Sequence, residues 1–336
     1  NCKQSVESPA VSAGITVYIR SKVKPSQEKM IKKLRATSWL HLYIGLGLIW
    51  GASFSFVEAA LTITTPAGST FWRTLLGALA LIGYLVATKA WPKKSQVSWT
   101  FVWRIGLVGL LFSVIPALLF AFAQERATTV VSSIINSATP IATLIVMLIA
   151  FRDELPTLRQ TSGILVGLVG ALIALGVQPG SIGENDPLAV AALVGAIFCY
   201  GIGIPFSHKY ILPLAVPTKT VATFQVSIAA LFLAPIYFLQ PEPLFSAVPD
   251  AWVITQILLM GIVGTGFAYI WNFDLIDRAG SALASSVSYP TLLVSLVIGW
   301  LVLQEPFSWK LPIGALLVVI GSAITQWRPA ASKALR

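Results

Sequence analysis

Two ionisable side chains, Glu58 and Arg73, lie inside apolar stretches of the chain rather than in its polar connections. A charge buried in a lipid bilayer costs at least about 2.5 kcal/mol, so it normally faces protein or a water-filled cavity and has a partner. Arg73 could recognise an anionic group of a ligand, and Glu58 could take up a proton. Alternatively, the two side chains form a structural ion pair that joins neighbouring helices, and the sequence leaves both roles open.

A polar stripe precedes Pro140. Ser132, Ser133, Asn136 and Ser137 follow the spacing i, i+1, i+4 and i+5, so they share one face of a helix with the proline. Proline removes a backbone hydrogen bond and kinks the helix. We predict that Ser133 and Asn136 line a cavity and that Pro140 is a hinge.

The same pattern recurs late in the chain, where Ser285, Ser286, Ser288 and Tyr289 precede Pro290. We therefore predict Tyr289 as a second cavity residue and Pro290 as a second hinge. The alternative for both stripes is that the hydroxyls bond within their own helices and allow close packing.

Four aromatic residues inside apolar stretches are further cavity candidates: Trp50, Phe54, Tyr200 and Tyr269. A mostly apolar pocket with a few polar groups suits a drug-sized ligand, and aromatic faces also attract cations. The alternative is that such rings anchor the chain at the two bilayer interfaces.

The residues needed for catalysis or metal binding are scarce. His41 and His208 are the only histidines and Cys2 and Cys199 the only cysteines, and none has a partner at motif spacing. The sequence also has no phosphate-binding loop of the Walker type. We predict no catalytic residues, no metal and no cofactor.

Composition indicates a membrane protein. The chain has 336 residues, of which 56% are hydrophobic and 11% charged, whereas soluble domains carry about 25% charged residues. Its net charge of +10 is better explained by basic cytoplasmic loops than by nucleic-acid binding. The predicted partner surface is therefore the lipid bilayer.

About 20 mainly apolar residues are needed to cross a bilayer, and ten such runs can be recognised. They cover residues 39–61, 67–88, 101–123, 128–151, 158–177, 187–207, 218–239, 251–273, 280–303 and 309–327. With the N-terminus inside, 20 of the 23 Lys and Arg residues fall on the inner side, Arg126 and Lys310 fall outside, and Arg73 lies within a span. This bias predicts ten spans with both termini cytoplasmic.

The two halves of the chain repeat one another. Positions in the first half match positions 150 or 151 residues later: Pro140 with Pro290, Glu154 with Glu305, Gly163 with Gly314, and Gly170 with Gly321. Because each half has five spans, the second copy must enter the bilayer in the opposite orientation. We therefore predict an all-α fold of two inverted five-helix repeats, at 39–177 and 187–327, an architecture typical of secondary transporters.

The ends of the chain differ from the rest. Residues 1–38 are polar and basic, and we predict a disordered cytoplasmic tail there, with a possible native start at Met30. Residues 328–336 are predicted to form a short cytoplasmic tail.

Several short motifs resemble those of the drug/metabolite transporter superfamily, in particular its EamA-type ten-helix permeases. The resemblance covers about residues 39–327. It is carried by residues 50–54 (Trp-Gly-Ala-Ser-Phe), Arg73 after a Phe-Trp pair, Pro140 and Pro290, and the acidic turns at 153–155 and 304–306.

This resemblance implies a multi-pass carrier of the cytoplasmic (inner) membrane that exports a small metabolite from a central cavity. The expected cargo is an amino acid, a related compound or a drug-like amine, moved by alternating access on a proton or substrate gradient, with a homodimer possible. The alternative function is a non-transporting scaffold or sensor built on the same fold.

Overall fold

A computed structural model describes residues 39–92, 96–124, 126–127, 129–177, 186–248, 250–301 and 308–326. The side chains of Phe54 and Glu58, within the first helix, lie outside this description, as do Glu305 and both tails. Our expectations for these residues therefore stay predictions.

The described residues fold into helices joined by short connections. We number them α1 (Leu40–Leu61), α2 (Pro66–Ala87), α3 (Trp99–Gly109 and Ile115–Gln124), α4 (Thr129–Ser137 and Thr139–Ala150), α5 (Leu158–Ala174), α6 (Pro187–Phe206), α7 (Thr218–Phe238), α8 (Ala251–Gly261 and Ala268–Ala279), α9 (Ser281–Ser285 and Ser288–Leu301) and α10 (Lys310–Gln326). The two parts of α3 are joined by a wide π-type turn, Leu110–Val114, and those of α8 by another, Ile262–Phe267.

Side-chain caps explain where several helices begin. The Thr65 hydroxyl accepts a hydrogen bond from the Gly68 N–H at the start of α2, and Thr157 forms a capping box with Gln160 at the start of α5. The Asp250 carboxylate accepts from the Val253 N–H at the start of α8. Each cap satisfies a backbone donor that the helix itself leaves unpaired.

The surface of the bundle is apolar, as a lipid-facing surface must be. Leu48, Leu79, Ile149, Leu231 and Leu316 are each more than half exposed. Many other large apolar side chains of the described helices are exposed as well, and extensive apolar surface of this kind marks an interaction with membrane or protein. The fold is therefore that of an all-α, multi-pass membrane protein.

Fewer of the described helices reach the length of a full span than the ten spans that the sequence pattern predicts. Seven described helices are long and apolar enough to cross a bilayer, and the two parts of α4, bent by 41°, would make an eighth. Two shorter apolar helices correspond to the predicted fifth and tenth spans. The count of ten stays a prediction.

The first pair of corresponding helices, α5 and α10, crosses in antiparallel orientation. Gly163 lies against Gly321, whereas Gly170, seven residues later, lies against Gly314, seven residues earlier. A Cβ atom at Gly170 would lie only 2.7 Å from the Gly314 carbonyl oxygen. The glycines thus allow the two backbones to touch, as small residues do between membrane helices.

The second corresponding pair, α2 and α7, is also antiparallel. The Trp72 indole N–H donates to the Tyr237 hydroxyl at 3.2 Å, and near the other end of the helices the Lys219 ammonium lies over the Tyr84 ring. Helices that match in sequence therefore run in opposite directions, as an inverted repeat requires.

Packing between non-corresponding helices is also repeated. A Cβ atom at Gly51 in α1 would lie 2.8 Å from the Thr291 carbonyl oxygen in α9, and one at Gly201 in α6 would lie 3.0 Å from the Ala142 carbonyl carbon in α4. Gly51 and Gly201 are 150 residues apart. Contacts between α1 and α9 therefore have counterparts between α6 and α4.

The breaks in α4 and α9 follow from their prolines. Because Pro140 has no N–H, the Asn136 carbonyl loses its helical partner, and the Thr139 hydroxyl donates to it instead at 2.7 Å. In α9 the corresponding carbonyl, that of Ser286, accepts from the Tyr43 hydroxyl of α1 at 3.0 Å. Both carbonyls that proline leaves without a helical donor thus have hydrogen-bond partners inside the protein, as backbone polar groups in a bilayer require.

Candidate functional site

Two hydrogen bonds that correspond in the two repeats lie in the interior of the bundle. The Arg73 Nε of α2 donates to the Thr265 Oγ1 of α8 at 3.0 Å, and the Gln225 Nε2 of α7 donates to the Ser113 Oγ of α3 at 3.0 Å. Arg73 and Gln225 are 152 residues apart, and so are Ser113 and Thr265. The same side-chain bridge therefore occurs twice, once in each orientation.

Each bridge ends on a wide π-type turn. Thr265 lies within Ile262–Phe267, and Ser113 lies within Leu110–Val114. Such turns are uncommon inside helices and are found frequently at functional sites. The Thr265 hydroxyl donates to the Met260 carbonyl at 3.2 Å, which leaves its oxygen lone pairs for Arg73.

Arg73 keeps most of its hydrogen-bonding capacity. In the described part of the chain its guanidinium has one hydrogen-bond partner, Thr265, although a guanidinium carries five N–H donors. The side chain is half-buried. Because the Glu58 side chain lies outside the description, the ion pair between Glu58 and Arg73 stays a prediction.

Aromatic rings lie beside the two bridges. The Trp50 indole N–H donates to the Gly264 carbonyl at 3.1 Å, and its ring meets that of Tyr269 edge to face with 6.2 Å between centroids. The Tyr269 hydroxyl lies 3.3 Å from the Ser113 hydroxyl. Tyr200 packs against the same hydrophobic core as Trp50 and Tyr269.

The structure therefore brings together four residues that the sequence singled out, Trp50, Arg73, Tyr200 and Tyr269. It adds three that sequence analysis missed, Ser113, Gln225 and Thr265. We call these seven residues the central cluster. The signal that could have found Gln225 was an amide inside an apolar span, 152 residues after the internal arginine.

Gln225 is the least satisfied member of the central cluster. Its side chain is 0% exposed, and its Oε1 has no hydrogen-bond partner among the described residues. If the amide were rotated by 180°, the nitrogen would be the unpaired atom. Leaving such a group unpaired in a protein interior costs about 1–3 kcal/mol.

Tyr289 lies elsewhere. Only 1% of it is exposed, its hydroxyl donates to the Ile164 carbonyl of α5 at 2.9 Å, and its ring packs against Gly167. The structure places it in the contact between α9 and α5, separate from the central cluster, because position 289 lies on the face of α9 that packs against α5.

Other residues of the two polar stripes fall into two classes: those whose hydroxyl bonds within its own helix, and those whose side chain has no hydrogen bond in the described chain. Ser137, Ser285, Ser286 and Ser288 donate to carbonyls of their own helices, which is the packing alternative. In contrast, the half-buried Ser133 and Asn136 have no side-chain hydrogen bond in the described chain, and none links them to the central cluster.

A second polar group lies where α4, α6 and α9 meet. The Glu154 carboxylate lies 2.8 Å from the His208 Nδ1 and accepts from the Ser281 hydroxyl at 3.0 Å. Beside it, a hydrogen bond from Lys209 lowers the pKa of Asp153. These contacts join the two repeats and line a surface cavity of about 400 Å³.

The charges of the central cluster fit binding better than catalysis. It combines one cation, several neutral hydrogen-bonding groups and aromatic faces, which suits a ligand with an anionic group and a flat apolar part. Among the described residues no three His, Cys, Asp or Glu side chains are grouped closely enough to hold a metal ion.

Comparisons with known proteins agree with this fold. A sequence model of the EamA-like transporter family matches residues 37–176 and 187–327. The uncharacterized transporter YoaV of Bacillus subtilis is 21% identical over 83% of this chain and 93% of its own length. Protein PecM of Dickeya dadantii is 25% identical over 83% of this chain and 89% of its own.

A third relative has a named cargo. The aromatic amino acid exporter YddG of Salmonella typhimurium is 28% identical over 63% of this chain and 72% of its own length. One crystal structure superposes with a TM-score of 0.69 at 21% identity, covering 86% of this chain and 96% of that one, which shows the shared fold. The resemblance inferred from the sequence is therefore confirmed, and the chain belongs to the EamA-like transporter family.

Proposed function

We propose that this transporter exports amino acids, or close relatives of them, with aromatic or bulky apolar side chains across the cytoplasmic membrane. The observation that carries the proposal is the central cluster, which combines three aromatic rings with a guanidinium whose one hydrogen-bond partner in the described chain is Thr265. A guanidinium binds a carboxylate through two parallel hydrogen bonds, and the rings offer apolar surface to the rest of the molecule.

The charge of Arg73 favours this cargo over a drug-like amine. A simple amine carries a positive charge at neutral pH and would be repelled by the guanidinium at the same site. An amino acid offers a carboxylate that neutralises Arg73. The name of the relative YddG, an aromatic amino acid exporter, supports the same choice.

The proposed mechanism is alternating access between the two repeats. We take the helix interruptions next to Pro140 and Pro290 as two corresponding hinges, and the contacts of α1 with α9 correspond to those of α6 with α4. Movement at one hinge would open the central cluster to one side while its counterpart closes the other. Because the sequence has no nucleotide-binding motif, the driving force is a proton or substrate gradient.

Counterflow in proteoliposomes tests this function without knowledge of the coupling ion. Purified protein is reconstituted into vesicles loaded with unlabelled L-phenylalanine, and uptake of labelled L-phenylalanine is measured. We expect saturable uptake that L-tryptophan and L-tyrosine inhibit and phenethylamine does not.

Protein-free vesicles loaded in the same way are the control. Absence of counterflow with every amino acid tested would overturn the proposal and would favour the alternative, a scaffold or sensor. Inhibition by phenethylamine as strong as that by L-tryptophan would overturn the choice of amino acids over amines.

A further inference from the structure

We infer that Gln225 determines specificity by binding the amino group of the substrate while Arg73 binds its carboxylate, so that the transporter selects zwitterionic α-amino acids over simple organic acids. This inference rests on the proposed function and names a role that the family resemblance does not supply.

Gln225 has the right position. It occupies in α7 the place that Arg73 occupies in α2, and each side chain bonds to a hydroxyl on a wide π-type turn. The Ser113 hydroxyl that binds Gln225 also lies 3.3 Å from the Tyr269 hydroxyl. Arg73 bonds to Thr265, the neighbouring Gly264 carbonyl accepts from Trp50, and the Trp50 ring meets that of Tyr269. Gln225 and Arg73 therefore belong to one connected cluster.

Gln225 also has the right chemistry. Its amide oxygen has no partner among the described residues although the side chain is fully buried, and native proteins rarely leave such an atom unpaired. An ammonium group has three N–H donors and no acceptor, so it complements an unpaired carbonyl oxygen.

The neutral charge of Gln225 matters as much as its oxygen. In the described central cluster Arg73 is the one charged residue, and a zwitterion has no net charge, so a neutral amide at position 225 accepts from the ammonium group without adding a second charge to the cluster. A carboxylate without an amino group would satisfy Arg73 and leave the Gln225 oxygen unpaired. Sites built to hydrogen-bond a polar group strongly reject analogues that lack it.

Two other unpaired polar atoms on the same helix provide controls. The Thr220 Oγ1 and the Ser227 Oγ of α7 are also buried and have no partner in the part of the chain that the structure describes, and no hydrogen bond connects them to Ser113, Tyr269 or Arg73. Thr220 is 0% exposed, as Gln225 is. Thr220→Val is therefore a matched control for Gln225→Met, because both substitutions remove a buried polar group from α7. Both also keep the volume of the side chain nearly unchanged.

The experiment compares two ligands in L-phenylalanine counterflow. Unlabelled L-phenylalanine and 3-phenylpropanoate, which lacks only the amino group, compete with labelled L-phenylalanine in wild-type protein, Gln225→Met and Thr220→Val. We expect wild-type protein to prefer L-phenylalanine by about tenfold or more, the usual value of a hydrogen bond to a charged group. Gln225→Met should lose most of this preference, chiefly through weaker L-phenylalanine binding, and Thr220→Val should keep it.

The inference is overturned if wild-type protein binds L-phenylalanine and 3-phenylpropanoate equally well. It is overturned as well if Gln225→Met keeps the preference for L-phenylalanine to the same extent as Thr220→Val. It is also overturned if Gln225→Met weakens both ligands equally, since that indicates a structural role. If wild-type protein transports no amino acid at all, it is the proposed function that fails, so the two failures are distinguishable.

Discussion

At the residue scale, most polar side chains buried inside the described bundle have identifiable hydrogen-bond partners. Thr265 accepts from Arg73 and donates to the Met260 carbonyl, while Ser113 accepts from Gln225. Desolvation makes such groups costly in a membrane protein. Their occurrence at corresponding places in the two repeats indicates a shared requirement, which we attribute to substrate binding.

Arg73 is the first residue to test. We expect Arg73→Gln to raise the KM for L-phenylalanine by about tenfold or more, because a charge-assisted hydrogen bond to the carboxylate is lost. Arg73→Lys should recover part of the affinity, since lysine keeps the charge but not the paired donors. KM is measured by counterflow. A KM that is unchanged in Arg73→Gln, with a lower melting temperature, would instead support the structural role.

Residue types and spacing singled out part of this candidate site, whose role in binding stays a prediction. Trp50, Arg73, Tyr200 and Tyr269 were found because a charge or a large ring inside an apolar span is unusual. Tyr289 met the same criterion but packs against Gly167, since residue type does not reveal which helix a side chain faces. Gln225 was missed because a single amide in an apolar span attracts little notice until its repeat partner is known.

At the element scale, α5 and α10 are held together by backbone contact rather than by large side chains. Their glycines bring carbonyl oxygens so close that any added side chain must displace one of the helices. This crossing joins the two repeats, and it leaves the other helices to surround the central cluster.

Gly170→Val tests that crossing. The new Cβ would lie 2.7 Å from the Gly314 carbonyl oxygen, and overpacking of this kind costs about 1–3 kcal/mol. We expect a lower melting temperature in detergent. Gly83→Val is the matched control, because a Cβ atom at Gly83 meets nothing within 4 Å. Equal stability of the two variants would contradict the packing described here.

The positions of the helices were easier to predict from the sequence than their lengths. The predicted first span, 39–61, is the helix Leu40–Leu61, because apolar runs and their flanking turn residues are visible in sequence. The predicted fifth span continued to residue 177, whereas α5 ends at Ala174. Gly176 adopts a left-handed conformation with φ +67°, which ends the helix although the sequence stays apolar.

At the scale of the whole molecule, several segments that the sequence predicts to be cytoplasmic lie together on one face of the bundle. Contacts of Glu154 with His208 and Ser281 bring together the ends of α4 and α6 and the start of α9. The Arg104 guanidinium at the start of α3 donates to the Tyr210 carbonyl on the same face. Which side of the membrane this face occupies remains a prediction from the Lys and Arg distribution.

Thiol labelling determines that orientation. In a background without Cys2 and Cys199, single cysteines replace Lys310 and Arg159, which are both exposed and lie at the starts of α10 and α5. We expect a membrane-impermeant reagent to label Lys310→Cys in intact cells, and Arg159→Cys only after the cells are permeabilised. Labelling of both from the same side would contradict the inverted arrangement.

The central claim is that one cluster between the two repeats binds substrate and opens alternately to both sides. Its most direct test is Ser113→Cys, a small change within the cluster, in the same cysteine-free background. The rate of thiol modification is measured in right-side-out and in inside-out vesicles, with and without L-phenylalanine. We predict modification from both sides and slower modification from each when substrate is present. Reaction from one side alone, or rates that substrate leaves unchanged on both sides, would contradict the account.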